Sequence, residues 1–352
     1  MARPLRVNRA NGWYHAYARG LNRMDLYADE RDRKHFLELL EEMVERYRVQ
    51  MHAYVLMDNH FHLVVRTPDA NLSRSMQWLN LSYAAWFNVR HQRTGPVFQR
   101  PFGSVPVQDG AWIYELSLYV HLNPLRIAAL GLSKQERKAA NMGAGPAPSR
   151  QEIDERMRRL REYRWSSYLA YAGYEQAPPW LCLDDILHRA AAEESDRTGT
   201  YRKDVRRRAA EGGDSGKLEA VRDHIAIGGA AFVKAVKQTV QAGVPREAGS
   251  KRAWRARVTI EEVFAAVARV RGQPWEQIVA RHGDFGRPMA MWMARRFTGL
   301  TLRQIGDACG NRDYAATAMA IRRFQSRLED DKSLAGQTRE LSQMLHVKMS
   351  PQ

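Results

Sequence analysis

A hairpin of two apolar strands is the feature that most constrains the fold. Residues 50–57 and 60–66 are rich in strand-forming side chains, and Asp58-Asn59 between them is typical of a tight turn. Side chains alternate between the two faces of a strand, so residues i and i+2 point the same way. His60 and His62 are therefore predicted to lie on one face of a sheet, where both imidazoles can reach one divalent metal ion.

The segments around this hairpin predict the order strand, helix, strand, strand, helix, strand, helix. A strand at 13–18 precedes the hairpin, and Asp29 is predicted to cap the helix that follows that strand. Residues 72–90 are predicted to be helical and residues 97–107 extended, and Asp109 is predicted to cap a further helix. This order is typical of a ferredoxin-like antiparallel sheet with helices, so the fold class is α+β.

The helix after Asp109 carries a possible nucleophile. Glu115, Tyr119 and Asn123 follow each other at intervals of four residues and form one stripe. The neighbouring stripe is apolar, so Tyr119 is predicted at the edge of the buried face. A tyrosine hydroxyl beside a metal ion can attack a phosphodiester. Asn123 can supply an oxygen as a third ligand, and two nitrogens with an amide oxygen and waters suit Mg²⁺ or Mn²⁺.

Other assignments of these side chains remain open at this point. Tyr114 is a competing nucleophile, although the residue four positions on is not of a metal-ligand type. A zinc hydrolase would add His121 to the two strand histidines, but the helical period places His121 away from the sheet-facing side. His15, His52 and His121 are otherwise interpreted as structural, and Glu115 as a solvated carboxylate or a distant helper.

Charge and composition indicate a polyanionic partner. The chain has 352 residues, a net charge of +16 and a pI of about 10.0. DNA or RNA is favoured over a membrane, because no apolar stretch approaches the roughly 18 residues that span a bilayer. The N-terminal residues lack the apolar core of a secretion signal, so a cytoplasmic location is predicted. Cys182 and Cys309 form no Cys-x-x-Cys pair, which argues against a zinc ribbon or a disulfide scaffold.

The remainder of the chain is predicted to be helical. Residues 1–180 form the predicted catalytic unit, residues 181–258 a basic helical linker, residues 259–330 a second ordered unit and residues 331–352 a tail. Within the second unit, two helices joined by a short glycine-containing turn at Gly310 predict a helix-turn-helix. Its candidate DNA contacts are Arg312, Arg322 and Arg323.

Three motifs together resemble the REP-associated tyrosine transposases, which belong to the HUH single-tyrosine transposases of insertion sequences. They are MDNHFHLV at 57–64, YVHLNPLR at 119–126 and WSSY at 165–168. The resemblance covers about residues 1–180 and departs at Asp58, where many relatives have proline. It implies a ferredoxin-like fold and metal-dependent cleavage of single-stranded DNA through a 5′-phosphotyrosine. Its site residues are His60 and His62 as ligands, Tyr119 as nucleophile and Asn123 as a further ligand.

The second unit resembles the DNA-binding domain of the replication initiator DnaA. The similarity lies in ARRFTGLT at 294–301, Ile305-Gly306 and GNRDY at 310–314. Ala315 and Ala316 stand where this family carries hydroxyl residues. The resemblance therefore implies binding to duplex DNA but not the sequence specificity of the family.

The sequence therefore predicts a metal-dependent, transposase-like endonuclease that cleaves and rejoins single-stranded or hairpin DNA. Its predicted cofactor is Mg²⁺ or Mn²⁺, and its predicted partners are palindromic repeats and, through the second unit, duplex DNA. The alternative is a non-catalytic protein that binds structured DNA as a domesticated regulator. A hydrolase of small phosphate esters fits the basic charge less well. The oligomeric state and the target sequence stay open.

Overall fold

The chain divides into two compact units, Met1–Ala248 and Gly249–Gln352. The structure is a computed structural model that describes residues 7–132, 148–191, 193–211, 225–241, 258–281, 283–310 and 313–349. No helix in these ranges is both long and apolar enough to cross a membrane.

The first unit is built on a four-stranded antiparallel sheet. Its strands are β1 (Gly12–Arg19), β2 (Gln50–Met57), β3 (His60–Thr67) and β4 (Gly103–Val107), in the spatial order β2-β3-β1-β4. Helix α1 (Glu30–Tyr47) connects β1 to β2, and helix α2 (Leu72–Arg90) connects β3 to β4. This connectivity and strand order are those of the ferredoxin-like sheet, so the predicted α+β class is confirmed.

Helices α1 and α2 cover one face of the sheet. Asp29 begins α1 as predicted, because its carboxylate accepts a hydrogen bond from the backbone N–H of Asp32 at 3.1 Å. Phe36 and Leu40 of α1 are fully buried against this face, together with Phe61 of β3. The residues on either side of Phe61 in β3 are His60 and His62, so both histidines belong to the opposite face.

Helix α3 (Ala111–His121) packs on that opposite face. Ile113, Leu116 and Val120 are buried in one core with Val64 of β3, which confirms the predicted apolar stripe. The helix ends at His121 and a 3₁₀ turn, Asn123–Leu125, follows it.

The segment that leads into α3 differs from the sequence prediction in two details. The N-cap position, just before the first residue of the helix, is occupied by Gly110 rather than Asp109. Gly110 has a φ of 92°, a conformation that glycine adopts without strain. Asp109 instead accepts a hydrogen bond from Arg189 at 2.7 Å. The extended segment predicted at 97–107 is a paired strand only from Gly103, because Pro101 lacks the N–H that sheet pairing requires.

The first unit extends beyond the boundary predicted at residue 180. On the α3 side of the sheet, the described residues that follow form α4 (Arg150–Glu162), α5 (Tyr168–Tyr171), α6 (Asp184–Leu187) and α7 (Glu194–Ala210). Tyr201, Val205 and Ala209 form an apolar stripe on α7 that is completely buried in the same core as α3. The region predicted as a basic linker therefore contributes part of this core, and its arginines surround a narrow apolar stripe. Helix α8 (Ala230–Gln241) follows in the same unit.

The second unit is helical. Its helices are α9 (Ile260–Arg271), α10 (Trp275–Ala280), α11 (Gly286–Phe297), α12 (Leu302–Ala308), α13 (Tyr314–Asp330) and α14 (Lys332–Met349). Thr301 and Asp313 cap α12 and α13 through their side chains. The predicted tail is largely α14, whose Leu334, Leu341 and Leu345 are buried in the core of this unit.

The structure describes two of the three arginines that are predicted to contact DNA. Arg322 and Arg323 are exposed on α13. Arg312 lies outside the described residues.

Candidate active site at the start of strand β3

The two strand histidines lie side by side at the start of β3. Their ring centroids are 5.1 Å apart, with the ring planes at 87°. In the antiparallel register, His62 lies opposite Tyr17 of β1 and His60 lies opposite Arg19. Both histidines are partly exposed. The alternation of the strand thus brings the two imidazoles together, as the sequence predicts.

Each of these rings has its Nδ1 occupied by a neighbouring side chain. Nδ1 of His60 lies 2.7 Å from Oδ1 of Asn59, and Nδ1 of His62 lies 2.8 Å from Nε2 of His15. Since an amide oxygen only accepts hydrogen bonds, His60 carries its proton on Nδ1. The Nε2 atom of His60 is then a lone-pair donor of the kind that binds a metal ion.

Tyr119 of α3 lies against this histidine pair. Its ring meets that of His62 edge-on at 6.0 Å between centroids, and that of His15 at 5.7 Å. Tyr119 is only partly buried. The helix therefore delivers the tyrosine to the same face of the sheet as His60 and His62, in agreement with the sequence prediction.

Arg126 covers the other side of the tyrosine. Its guanidinium carbon lies 3.9 Å from the centroid of the Tyr119 ring, which is a close cation–π contact. Its Nη1 donates to Oδ1 of Asn123 at 3.4 Å. The sequence motif contains Arg126, but the sequence prediction gave it no role, because nothing in the spacing shows that the chain turns back over Tyr119 after α3.

Asn123 closes the last turn of α3. Its Nδ2 donates to the backbone carbonyls of Tyr119 at 2.9 Å and Val120 at 3.1 Å. An amide nitrogen is not a metal ligand, so Oδ1 is the atom of this side chain that can serve as one. Asn123 is thus held at the base of Tyr119, and its part in metal binding stays a prediction.

Burial keeps the histidines of the site neutral. It lowers the pKa of His15 to about 3 and that of His60 to about 4, and it holds the pKa of His62 well below its usual range. Positive charge adds to the effect of burial, from Arg126 on all three rings and from Arg19 on His60 and His62. Neutral imidazole is the form that binds metal ions, because it retains a free lone pair.

The donor set fits a divalent ion that keeps water ligands. His60 can present Nε2, and His62 can do so when its proton lies on Nδ1; Oδ1 of Asn123 is the oxygen ligand that the sequence predicts. Within the described ranges, no group of three or more His, Cys, Asp or Glu side chains is arranged to hold a metal. A closed structural zinc site is therefore not formed by these residues. Two imidazoles, an amide oxygen and waters suit Mn²⁺ or Mg²⁺.

The other candidate side chains from the sequence lie away from the histidine pair. Both ring nitrogens of His121 are occupied, Nδ1 by the Tyr201 hydroxyl and Nε2 by the Ser167 hydroxyl, each at 2.7 Å. His121 is thus not free to bind zinc. The hydroxyl of Tyr114 donates to Asp204 at 2.7 Å, so this tyrosine faces α7 rather than the histidine pair. Glu115 is not solvated but forms an ion pair with Arg208, whose Nη2 donates to both carboxylate oxygens.

Residues 8–122 match the family model described as "Transposase IS200 like". This match covers the whole sheet, both helices behind it and α3 with Tyr119. Residues 8–122 are an IS200-like transposase domain. A solved structure described as "Structure of the REP associates tyrosine transposase bound to a REP hairpin" is similar with a TM-score of 0.35 and 13% identity, over 53% of this chain and 93% of that chain.

Acid is expected to destabilise the transposase domain through His121. Burial lowers the pKa of His121 to about 3, whereas its ordinary value is 6.5. Between these values the unfolded chain binds a proton that the folded chain does not bind. The free energy of unfolding therefore falls as the pH drops below about 6.5, by about 2 kcal/mol at pH 5 from this residue.

Urea unfolding at about pH 7.5 and about pH 5 measures this contribution. The loss of stability between the two pH values should be about 2 kcal/mol smaller in His121→Gln than in the unsubstituted protein. An equal loss in both proteins would show that His121 takes up its proton in the folded chain as readily as in the unfolded chain.

Proposed function

We propose that the chain is a metal-dependent enzyme that nicks and rejoins single-stranded or hairpin DNA through Tyr119. The observation that carries the proposal is the edge-on contact between Tyr119 and His62, on the same sheet face as His60. This contact joins a helix and a strand that are far apart in the sequence. A tyrosine hydroxyl and a pair of metal-binding nitrogens then act on one phosphate.

The proposed step transfers a phosphoryl group without any redox partner. The Tyr119 oxygen forms a bond to the scissile phosphorus, and the bond from phosphorus to the 3′-oxygen breaks. The phenolic proton leaves Tyr119, and the departing 3′-oxygen takes up a proton to become a hydroxyl. A 5′-phosphotyrosine remains, and attack by another 3′-hydroxyl reverses the reaction and rejoins a strand.

The residues around Tyr119 account for the other requirements of this step. His60, His62 and Asn123 would hold a divalent ion, which supplies a Lewis acid for the phosphate oxygens. Arg126 fixes the ring of Tyr119 and places a positive charge where negative charge develops on oxygen. Arg19, exposed opposite His60 in the sheet, can contact the DNA backbone next to the scissile phosphate.

A labelled single-stranded hairpin tests the proposed function. The protein is incubated with the hairpin and Mn²⁺, and a denaturing gel separates free DNA from DNA joined to protein. The proposal predicts a shifted, protease-sensitive band and its absence when a chelator is added. Hairpin binding without any covalent band would instead support the non-catalytic DNA-binding alternative.

We also infer that the second unit binds duplex DNA through α13. The exposed side of this helix combines Met319, 52% exposed, with Arg322 and Arg323. Its buried side is anchored by Ile321 and Phe324 in the core of the unit. The arginines thus project from a rigid helix, which is the arrangement of a recognition helix in a helix-turn-helix.

Removing the second unit is expected to weaken duplex binding while leaving the chemistry intact. A protein of residues 1–248 should form the covalent adduct on a short hairpin at close to the full rate. It should bind longer duplex-containing DNA at least about tenfold more weakly, because phosphate contacts supply most of such affinity. Competition binding with the two proteins measures this difference.

A matched pair of substitutions locates the contact. Arg322→Ala with Arg323→Ala should lower duplex affinity and flatten its salt dependence, because each lost phosphate contact reduces the slope by about one. Arg339→Ala removes one positive charge from the exposed side of α14 and should change neither. Equal affinities for the full-length and truncated proteins would mean that α12 and α13 have only a packing role.

A further inference from the structure

We propose that His15 is a positioning residue that holds His62 in the tautomer able to bind the metal ion. The hydrogen bond between Nε2 of His15 and Nδ1 of His62, at 2.8 Å, is the feature that points to this role. The inference deepens the proposed function and rests on it, because it concerns the same metal site. It differs from the interpretation of His15 as a structural histidine.

The surroundings of His15 hold its ring in a fixed place. It lies on β1, which pairs with β3 on one side and β4 on the other, and it is 8% exposed. Its ring lies beside that of His62 and nearly in the same plane, with centroids 5.0 Å apart and planes at 26°. The ring of Tyr17, two residues further along β1, lies 5.2 Å from it. A side chain in a central strand with these neighbours has little freedom to turn away from His62.

The direction of the hydrogen bond decides whether His62 can be a ligand. A neutral imidazole has one N–H donor and one lone-pair acceptor. If His62 donates from Nδ1, its Nε2 keeps a lone pair for a metal ion. If His15 donates instead, the proton of His62 must lie on Nε2, and that nitrogen cannot bind. His15 must therefore act as the acceptor for the site to work.

The neighbouring ligand shows the same arrangement with a different acceptor. Oδ1 of Asn59 lies 2.7 Å from Nδ1 of His60 and can only accept, so it sets the tautomer of His60 by chemistry alone. His15 can donate or accept, so the direction of its hydrogen bond decides the tautomer of His62. Acceptors of this kind beside a metal-bound histidine typically contribute 10- to 100-fold in metal affinity or activity.

Three substitutions in the full-length protein test the role through Mn²⁺ affinity, measured by titration calorimetry without DNA. His15→Leu removes the acceptor and should raise the Mn²⁺ dissociation constant about 10- to 100-fold. His15→Gln restores an accepting oxygen at a similar reach and should stay within a few-fold of the unsubstituted protein. His52→Leu is the matched control, because His52 is a buried histidine of β2 whose Nδ1 bonds the carbonyl of Cys182 at 3.1 Å.

A spectroscopic readout on the unsubstituted protein reports the tautomer of His62 directly. The protein is labelled with ¹⁵N-histidine, and long-range proton–nitrogen correlation spectra report which ring nitrogen carries the proton. The His62 signals are assigned by their loss in His62→Gln. We expect the proton on Nδ1 of His62 in the unsubstituted protein and in His15→Gln, and a mixture of tautomers in His15→Leu.

The outcomes separate this inference from the proposed function. Tight Mn²⁺ binding by His15→Leu, or a proton on Nε2 of His62 in the unsubstituted protein, overturns the role of His15 and leaves the nicking activity standing. Failure of the unsubstituted protein to bind Mn²⁺ overturns the metal site and this inference together. A weakened His52→Leu would show that the loss in His15→Leu comes from general destabilisation.

Discussion

Tyr119→Phe is expected to abolish the covalent protein–DNA adduct while leaving the fold and hairpin binding nearly unchanged. Phenylalanine keeps the ring that packs against His62 and Arg126 and removes only the hydroxyl. Losing the group that forms the covalent bond should reduce strand cleavage by about a thousandfold or more. Denaturing gels of labelled hairpin DNA measure the adduct, and a filter-binding assay measures the affinity.

Tyr114→Phe is the control for this experiment. Tyr114 lies on the same helix, and its hydroxyl is bound to Asp204 rather than directed at the histidine pair. The adduct should therefore persist when this hydroxyl is removed. Full cleavage by Tyr119→Phe, with loss of the adduct in Tyr114→Phe, would move the nucleophile to the other side of α3.

His60→Ala and His62→Ala are each expected to remove metal-dependent cleavage with little loss of DNA affinity. Each substitution deletes one of the two nitrogens that the sheet places together, so the loss in cleavage rate should be about a hundredfold or more. DNA affinity should persist, because it depends mainly on contacts from Arg and Lys to phosphate.

A salt titration and a chelator separate these two effects. The affinities of both variants should fall with salt as steeply as that of the unsubstituted protein, because the phosphate contacts are unchanged. His35→Ala is a control that should leave cleavage intact. His35 is a partly buried histidine of α1, and its Nδ1 lies 2.9 Å from Oε2 of Glu38. Cleavage that continues in the presence of chelator would contradict the metal-dependent mechanism.

The elements that the sequence predicts well are those whose signals are local. The hairpin bounds follow from the Asp58-Asn59 turn and the alternation on either side of it, and β2 occupies the predicted residues 50–57. The predicted helix at 72–90 is found at the same residues, and Asp29 caps α1 as predicted. In each case neighbouring residues determine the conformation, so the period and the cap are sufficient signals.

The features that the sequence does not predict depend on contacts between distant segments. The stripe of Tyr201, Val205 and Ala209 has a helical period, but the surrounding arginines make its segment resemble a solvated linker. Only packing against α3 shows that this stripe belongs to the core. Glu115 and Arg208 are likewise far apart in the sequence. Their ion pair shields from solvent a carboxylate that the sequence predicts to be solvated.

The candidate site shows the same division. The pairing of His60 with His62 follows from strand alternation within three residues. The position of His15 beside His62 depends on the register between β1 and β3, which pairs Tyr17 with His62 and brings His15 onto the same face. Register is set by the whole sheet, so a histidine 47 positions away carries no local sign of this contact.

Mapping the DNA-linked peptide tests the central claim most directly. The protein is incubated with a single-stranded hairpin and Mn²⁺, the DNA is digested by nuclease, and the tryptic peptides are fragmented in a mass spectrometer. The account predicts one modified peptide, with a nucleotide joined through its 5′-phosphate to the oxygen of Tyr119. A linkage at another residue, or DNA that is cleaved without any linked peptide, would contradict it.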